Sequence, residues 1–414
     1  MYKNYRRYVI ACIFLAAVSA HASELTLHDA VSEALQANKD FQAAVLNKKI
    51  AQGDVTSAGL LANPSLNLIG DVLPSSGEHF SPEEKYYGAS LAMPIDLAGH
   101  RGKKIDFAER TAEVVHNQVA DFARQLRRQV QITYYNALAL HDRYELAKTN
   151  LNRLNSFVDL TRLRAEKKEV PVVDVTRADL VRLQYDADVQ QLLINYHSAL
   201  IDLQVLMGRT VYDDSLQLRS SLDELTAEPV RSPEEAVSFA MTRRPDFLAL
   251  QKQIEVEKAN QQLQQSYSGI DMSISGDYSN QQFTKFYGVS LNFTLPIFNR
   301  NQGEREKSEA RIEQAQFALA SVQNSMNAEI RRTYEEMNSL RTLVQEQKTT
   351  VLPHAEEVLK SVELAYRLGN TTLLDFLDAQ RSFTETRISY IDAQLRYQIS
   401  RINFSNAIVQ EEIL

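Results

Sequence analysis

The segment YGASLAMPIDLAGHRG, residues 87–102, recurs as YGVSLNFTLPIFNRNQG at residues 287–303. In each copy apolar and polar residues first alternate, which is typical of a β-strand with two different faces. A Pro-Ile pair ends the alternation, and a charged segment with helical character follows. One strand-to-helix junction therefore occurs twice in the chain, which indicates a duplicated structural unit.

The duplication extends on both sides of these junctions. The segment AVSEALQANKDF, beginning at Ala30, matches AVSFAMTRRPDF, beginning at Ala236, and further matched positions follow in the same order. Such internal repeats divide a chain into equivalent units, and here each unit opens with a helix. We therefore predict repeats at 23–208 and 231–414, a linker at 209–230, β-hairpins at about 64–96 and 268–298, and long helical hairpins at about 101–206 and 301–410.

The N-terminus has the features of an export signal. Basic residues precede the apolar run YVIACIFLAAVSA, and AHA at 20–22 has the small-x-small pattern of a cleavage site, so residues 1–22 are predicted to be a signal peptide. A competing interpretation is lipidation of Cys12, because VIAC at 9–12 resembles a lipobox. Cys12 is the only cysteine in the chain, so cleavage after Ala22 would leave no thiol or disulfide chemistry.

The composition narrows the class of protein. The 414 residues include 13 Gly and are 44% hydrophobic and 24% charged, which favours long helices. The formal net charge of −8 argues against a nucleic-acid partner, for which a basic face is expected. Beyond the N-terminus the sequence has no apolar stretch of the length that a transmembrane helix needs.

The predicted strands and helices have unusual lengths. Each strand has about nine to eleven residues, which suits a tilted membrane-spanning strand, although an ordinary half-buried hairpin would show the same alternation. In the helices that follow, apolar residues recur at steps of three and four, the pattern of a coiled coil. A helix of some 60 residues would reach roughly 90–100 Å. Pro353 is predicted to bend the second long helix, because proline cannot donate a helical hydrogen bond.

Strands from one chain could not form a closed membrane barrel. The smallest known membrane barrels have about eight strands, and this chain supplies two hairpins. A sheet with open edges is not tolerated in lipid, since each unpaired backbone group costs several kcal/mol there. If the strands enter a bilayer, several chains must therefore share one barrel.

The junction segments resemble those of the TolC-like outer membrane factors, and the resemblance covers essentially the whole mature sequence. MPIDLAGHRGKK at 93–104 and LPIFNRNQGE at 295–304, with LLANPSL at 60–66 upstream, are most similar to the heavy-metal cobalt-zinc-cadmium (CzcC-like) branch. The junction residues in these segments are Pro94, Gly99, Gly102, Pro296, Asn299 and Gly303.

The resemblance implies a mainly α fold with a membrane β-barrel. Long coiled-coil helical hairpins would form a periplasmic α-barrel, and four β-strands per chain would contribute to a twelve-stranded outer-membrane barrel in a homotrimer. The implied partners are a periplasmic adaptor (membrane fusion) protein, an inner-membrane RND-type transporter and outer-membrane lipid, with no cofactor and no nucleic acid. Each duplicated unit, a β-hairpin followed by a helical hairpin, would then form one segment of the channel wall.

The segment YRLGNTTLLDFLDAQ, residues 366–380, contains the candidate channel gate. Asp375 and Asp378 are three residues apart and so lie on one helical face. The resemblance implies that this aspartate pair constricts the closed tunnel mouth, whereas the alternative is that Asp375 only favours a helix N-terminus. The matching positions of the first repeat are Asp174 and Arg177, which cannot supply a second aspartate pair.

The turns between the long helices are the candidate contacts with the adaptor and pump. Gly369 can adopt the left-handed backbone that ends a helix, and Asn370 or Thr371 could cap the next one. Family members often have a basic residue where this chain has Thr371. In the first repeat a solvated charged turn is the alternative, because charged residues replace the glycine-bearing pattern. The turn residues are Arg367, Leu368, Gly369, Asn370 and Thr371, together with Lys167, Lys168 and Glu169.

The sequence contains no motif for catalysis or for a bound metal. It lacks a nucleophile elbow, a phosphate loop and a metalloprotease helix, and its histidines do not have ligand spacing. We therefore predict a non-enzymatic outer-membrane channel of a tripartite efflux pump, a passive trimeric conduit that exports divalent heavy-metal cations. The alternatives are the same channel type serving drug efflux or type I protein secretion, a periplasmic adaptor, and a coiled-coil scaffold.

Overall fold

The computed structural model describes residues 24–72, 85–213, 216–223, 232–281 and 284–410. The predicted signal peptide at 1–22, with Cys12, lies outside these residues. Within them no helix is both long enough and apolar enough to cross a membrane. The chain is mainly helical, as the sequence predicts.

The first half of the chain has four helices and four strands among its described residues. Two strands, β2 and β3, lead into a 67-residue helix, α3, which at 1.5 Å per residue is about 100 Å long. In chain order the elements are β1 (Glu24–Leu25), α1 (Leu27–Ala37), α2 (Lys39–Gly59), β2 (Ser65–Val72), β3 (Lys85–Ile95), α3 (His100–Glu166), α4 (Val172–Leu206) and β4 (Gln217–Leu218).

The second half repeats this order with one interruption. Its long outgoing helix is divided into α7 and α8 by a π-helical turn at Gln347–Val351. In chain order the elements are α5 (Pro233–Met241), α6 (Pro245–Ser266), β5 (Asp271–Gln281), β6 (Thr284–Thr294), α7 (Gln302–Glu346), α8 (Leu352–Arg367) and α9 (Leu373–Ile408). The helix α5 begins with a capping box, in which Ser232 and Glu235 bond to each other's backbone N–H.

The four long strands form one antiparallel sheet in the order β2-β3-β5-β6. Strand β3 pairs with β5, so the sheet joins the two repeats directly. The register places Leu91 opposite Leu66 and Gly276, and Ile274 opposite Leu291, so most apolar residues of the four strands share one face. The structure describes no further strand beyond β2 or β6, so both edges of the sheet are open within the described chain.

Three buried clusters hold the helices together. One surrounds Tyr134 of α3 and includes α1 and the C-terminal half of α4. Another surrounds Ile330 of α7 and includes α5 and the C-terminal half of α9. The third surrounds Phe157 of α3 and Phe376 of α9, and it fastens the two helical hairpins to each other near their turns. The second cluster lies within the second repeat, the first also includes Ile391 and Ile402 of α9, and the far ends of the hairpins share the third.

Part of the segment that the sequence assigns to a polar linker is packed into the first core. Leu216 and Leu222 are both 2% exposed, and β4 pairs in parallel with β1. The hydroxyl of Tyr134 donates to the carbonyl of Leu25 at 2.8 Å, which anchors β1 on α3. The linker therefore holds the start of the chain against the helices, which its polar composition does not reveal.

Pro353 lies directly after the π-helical turn, as the second residue of α8. Because proline has no N–H to donate, the regular bonding of an α-helix cannot pass through it. The sequence predicts a bend at this point, and the structure places the π-helical turn Gln347–Val351 immediately before α8. Such π-helical turns commonly occur where a helix accommodates one additional residue.

Gly208 is required where α4 turns back over the first helices. Its φ is +80°, and a Cβ at this position would lie 2.4 Å from the carbonyl oxygen of Ala37. We expect Gly208→Ala to lower stability by about 1–3 kcal/mol, because it combines a left-handed backbone with a clash against backbone. Thermal unfolding of the detergent-solubilised protein, followed by circular dichroism, measures this.

The matched control for Gly208→Ala is Gly53→Ala. Gly53 lies inside α2, and an alanine methyl group there would have no neighbour within 4 Å. Alanine at this position should therefore be neutral or stabilise by up to about 1 kcal/mol. Equal unfolding midpoints for the two variants would contradict the proposed role of the Gly208 backbone.

Candidate functional site at the helical turns

The two turns at the ends of the helical hairpins have the same backbone shape. Gly369 has φ +78°, and Lys168 has φ +61°, so both lie in the left-handed region. In each turn the next amide bonds back to a helical carbonyl, Asn370 N to Ala365 O at 2.8 Å and Glu169 N to Arg164 O at 2.9 Å. The left-handed geometry predicted for Gly369 is confirmed, and a lysine adopts it in the first repeat.

Asp375 belongs to the start of α9. Its carboxylate accepts bonds from the Thr372 hydroxyl at 2.6 Å, the Thr371 hydroxyl at 2.8 Å and the Thr372 amide at 3.0 Å. The bond from the Thr372 hydroxyl, followed by those from Thr371 and the Thr372 backbone, lowers the pKa of Asp375 below its ordinary value. The cap of α9 is Thr372, so the expectation of a cap at Asn370 or Thr371 is wrong by one or two residues.

Asp378 lies one turn further along α9 and bonds to Arg381 at 2.8 Å. Both aspartates are exposed in the single chain, and both line a groove of about 980 Å³ between α3, α4 and α9. In the first repeat the matching Asp174 contacts Arg177 at 3.5 Å. Only the second repeat therefore presents two carboxylates on one face at this level, as the sequence predicts.

An aromatic cluster connects the hairpins beside the turns. Phe157 of α3 stacks on Phe376 of α9, and Tyr366 of α8 lies against both rings. The Tyr366 hydroxyl shares a buried 2.7 Å hydrogen bond with Thr161 of α3. Since Phe157 and Thr161 come from the first repeat and Tyr366 and Phe376 from the second, the cluster holds one hairpin against the other.

Arg164 completes this connection and is the residue that sequence analysis missed. Its guanidinium donates to the carbonyl of Tyr366 at 3.0 Å, lies over the Tyr366 ring and bonds to Glu169 at 3.2 Å. Its side chain is 14% exposed. The sequence offers one signal, a basic residue in the last turn of α3, but the partner is about two hundred residues away and is found only in the fold.

The hydroxyl bond of this cluster can be tested without reference to activity. We expect Tyr366→Phe to keep the ring packing but to weaken the turns by about 0.5–1.5 kcal/mol, because one buried hydrogen bond is lost. Hydrogen–deuterium exchange of the amides near Gly369 should accelerate by about 2–10-fold. Tyr144→Phe, on α3 but away from the turns, is the control. Unchanged exchange in Tyr366→Phe would show that the bond does not hold the turn.

The strand-to-helix junctions lie at the opposite end of the hairpins. Asp96 accepts bonds from the amides of His100 and Arg101, both at 2.8 Å, and so caps α3 after Gly99, whose φ is +73°. Burial, the largest single influence, would raise the pKa of Asp96, but those amide bonds and the His100 charge together outweigh it and lower the pKa. Asn301, with φ +58°, takes the place of Gly99 in the second repeat.

The remaining junction residues have structural positions. Pro94 lies in β3 opposite Ser273, and Asn299 Oδ1 accepts from the amide of Asn301 at 3.0 Å. Gly102 and Gly303 lie in the first turns of α3 and α7, with open space around them. Pro296 lies two residues beyond Thr294, where β6 ends. The junctions therefore shape the passage from sheet to helix.

Between residues 24 and 410, leaving aside the undescribed gaps, no group of three or more His, Cys, Asp or Glu side chains has a geometry that could hold a metal ion. His100 instead bridges Ser266 at 2.8 Å and Asp271 at 3.1 Å and stacks on Tyr267, so it ties the start of α3 to the start of β5.

The comparisons with known proteins agree with this architecture. The chain is 25% identical over 370 residues to the cobalt-zinc-cadmium resistance protein CzcC of Cupriavidus metallidurans, covering 89% of this chain and 86% of that protein. It is 25% identical over 337 residues to the nickel-cobalt-cadmium resistance protein NccC of Alcaligenes xylosoxydans xylosoxydans, covering 77% and 72%.

The fold is shared with a solved channel. The crystal structure of CusC, which is described in connection with transmembrane channel formation, matches with a TM-score of 0.77 and 19% identity, covering 92% of this chain and 91% of that one. The family model for outer membrane efflux proteins matches residues 30–209 and again residues 236–408, one match in each half of the chain. The chain belongs to the outer membrane efflux protein family.

Proposed function

We propose that this outer-membrane efflux channel works as a homotrimer that conducts divalent heavy-metal cations out of the periplasm. The observation that carries the proposal is the sheet, which is apolar on one face and polar on the other and continues into helical hairpins about 100 Å long. A sheet of this kind lies in a membrane, and hairpins of this length extend from it into the periplasm. The energy for transport comes from the partner pump.

Three chains would remove the open edges of the sheet. Four strands have two unpaired edges, and each exposed backbone group would cost several kcal/mol in lipid. Three copies supply a barrel of twelve strands in which β2 of one chain pairs with β6 of the next. The same arrangement places six helical hairpins around a tunnel below the barrel.

The cargo is proposed from the relatives. CzcC and NccC are named for resistance to cobalt, cadmium and, respectively, zinc or nickel. A passive channel does not need to bind metal ions tightly, because the inner-membrane RND-type transporter selects which cation is exported. The turns at 167–169 and 367–371 are exposed at the ends of the hairpins and are the proposed contacts with a periplasmic adaptor.

Asp375 and Asp378 are the proposed gate. They are exposed in the single chain, they lie on one face of α9, and three copies would bring six carboxylates to the tunnel mouth. The aromatic cluster around Tyr366, together with Arg164, holds the second hairpin against the first and favours the closed arrangement. Opening would move the second hairpin outward and separate the carboxylates.

Membrane extraction tests the proposal as a whole. Outer-membrane fractions extracted in detergent should contain a species of three times the chain mass of 47.0 kDa, less the signal peptide, that dissociates on heating in SDS. Deletion of the gene should lower cobalt, zinc or cadmium tolerance. A periplasmic species that does not fractionate with membranes would overturn the proposal, and a membrane trimer without a tolerance phenotype would overturn the metal cargo alone.

A further inference from the structure

The four-stranded sheet has one continuous apolar face that is open to its surroundings. Its side chains are strongly exposed in the single chain, with Tyr287 at 78%, Val289 at 76% and Leu68 at 71%. The register aligns these residues in rows across all four strands, and the polar residues Asn280 and Lys285 join this face only near the strand ends. In a membrane barrel an apolar face of this kind lies against lipid, and the opposite face lines the lumen.

The lumen face of the sheet carries small and polar residues in its central rows, whereas Ile69 and Phe286 lie on it one row away. In register across the sheet lie Asn67, Ser90, Asp277 and Gly288, and the next row has Ser65, Ala92, Ser275 and Ser290. Among the described side chains of this face, Asp277 is the carboxylate near the middle of a strand. The other charged side chains described in these strands, Asp271 and Lys285, lie at strand ends.

The Asp277 carboxylate is held in place by hydroxyl groups from three strands. Ser290 of β6 donates to it at 2.6 Å, and Ser275 of β5 donates at 3.3 Å. Ser90 of β3, its direct partner in the register, also bonds to it. These donors are neutral, so the carboxylate is fixed in position but its negative charge has no cationic partner among them.

The position beside Asp277 is left open. Gly288 is its register partner in β6, and a Cβ there would approach Asp277 no closer than 4.0 Å. A larger side chain at Gly288 would cover the carboxylate from that side. The combination of hydroxyl donors and a neighbouring glycine therefore presents a fixed, uncovered negative charge on the lumen face.

We propose that Asp277 is a charge-selectivity residue of the outer-membrane barrel, where three copies form an anionic ring that favours cations over anions. The inference rests on the proposed trimeric channel and extends it, because it assigns selectivity to the barrel end as well as to the tunnel mouth. Rings of carboxylates select cations by raising their local concentration and opposing anions. The low dielectric of the surrounding barrel wall and lipid strengthens that field.

The ring would act on the ions as they leave. Divalent cations that pass the tunnel mouth must cross the barrel before they reach the exterior, and a neutral lumen would not oppose the entry of anions from outside. The hydroxyl groups orient the Asp277 carboxylate without neutralising it. A cation would therefore bind to it weakly and dissociate quickly, as conduction requires.

Ion selectivity in planar bilayers tests the proposal. The full-length trimer is first made with Asp375→Asn and Asp378→Asn, so that the tunnel mouth contributes little to selectivity. Reversal potentials in a potassium chloride gradient are then compared for this background, for Asp277→Asn, for Asp277→Glu and for Ser279→Asn. Ser279→Asn is the matched control, because it places an amide on the same face of β5 without removing a charge.

We expect Asp277→Asn to reduce the ratio of cation to anion permeability by about threefold or more, and Asp277→Glu and Ser279→Asn to retain it. An unchanged ratio in Asp277→Asn, in a channel of normal conductance, would overturn the inference while leaving the trimeric channel intact. An unmodified protein that forms no channels would instead refute the proposed function itself.

A thiol variant covers the case in which Asp277→Asn does not assemble. Gly288→Cys places a thiol next to Asp277, and a membrane-impermeant cationic thiol reagent added from the exterior side should react and lower the cation preference. Failure of the thiol to react in open channels would place this face away from the lumen and would overturn the inference.

Discussion

A channel with Asp375→Asn and Asp378→Asn is expected to conduct several-fold more current than the unmodified channel and to lose most of its block by divalent cations. In the proposed trimer these two positions bring six carboxylates to the tunnel mouth, where divalent cations would bind between them and obstruct the passage. Single-channel recording with cobalt or zinc added on the periplasmic side measures both effects.

Asparagine is the suitable replacement because Asp375 also caps α9. Its carboxylate accepts three hydrogen bonds from Thr371 and Thr372, and an amide oxygen can retain part of that set, whereas alanine would remove all of it. The control is Asp174→Asn in the first repeat, where Arg177 takes the place of a second acid. Equal loss of block in the control, or unchanged block in the double variant, would remove the aspartate pair from the gate.

The block should also depend on pH in a particular direction. Hydrogen bonds, first of all from the Thr372 hydroxyl, hold the pKa of Asp375 below its ordinary value. The carboxylate therefore stays charged as the pH falls through the usual range of an aspartate, and it becomes neutral only at lower pH. We expect divalent block to persist through that range and to weaken below it.

Arg244→Met is expected to lower the stability of the second repeat by about 3–5 kcal/mol, because it breaks a buried ion network by removing one partner. The Arg244 side chain is 7% exposed and bonds to Asp246 at 2.6 Å, to Glu329 at 2.7 Å and to the carbonyl of Ala407 at 3.3 Å. These contacts join the start of α6 to α7 and α9. Thermal unfolding in detergent, followed by circular dichroism, measures the loss.

The matched control is Arg331→Met, which breaks an exposed ion pair on α7. Arg331 contacts Glu234 at 3.1 Å, and both side chains are more than 60% exposed, so its loss should cost less than about 1 kcal/mol. Similar destabilisation of the two variants would show that burial of the Arg244 network is not what stabilises it.

The Arg244 network also predicts how stability varies with pH. Burial, the largest single influence, would raise the pKa of Asp246, but the bond and charge of Arg244 and the charge of Arg124 outweigh it and lower the pKa. A carboxyl whose pKa is lower in the folded chain stabilises it above the ordinary pKa. That contribution is lost as the pH falls through the lowered value, and Arg244→Met should lack most of it.

Local sequence patterns were sufficient where neighbours along the chain decide the structure. The alternation at 287–295 predicted a strand, and β6 ends at Thr294. The apolar repeat after residue 105 predicted a very long helix, and α3 has 67 residues. Both predictions depend on which face of a single strand or helix is apolar, and the spacing of the apolar residues along the sequence determines that face.

Contacts between distant segments were not predictable in the same way. Arg164 bonds across to Tyr366, and Leu216 of the linker packs against the first core, because the fold brings those segments together. Neither residue has a distinctive neighbour in sequence. The cap of α9 was misplaced for a related reason, since three adjacent polar residues could each serve and the exact turn decides among them.

Because of the π-helical turn at Gln347–Val351, the outgoing helices of the two repeats differ in structure. The first outgoing helix, α3, is continuous, whereas its counterpart in the second repeat is interrupted by the π-helical turn between α7 and α8. An additional residue in one turn rotates everything beyond it by about 100° around the helix axis. Beyond this turn α8 still packs along α9, and its last turn also reaches α3 through Tyr366. In the proposed trimer, three continuous helices would alternate with three helices whose hydrogen bonding changes midway, so we expect the opening motion to have threefold rather than sixfold symmetry.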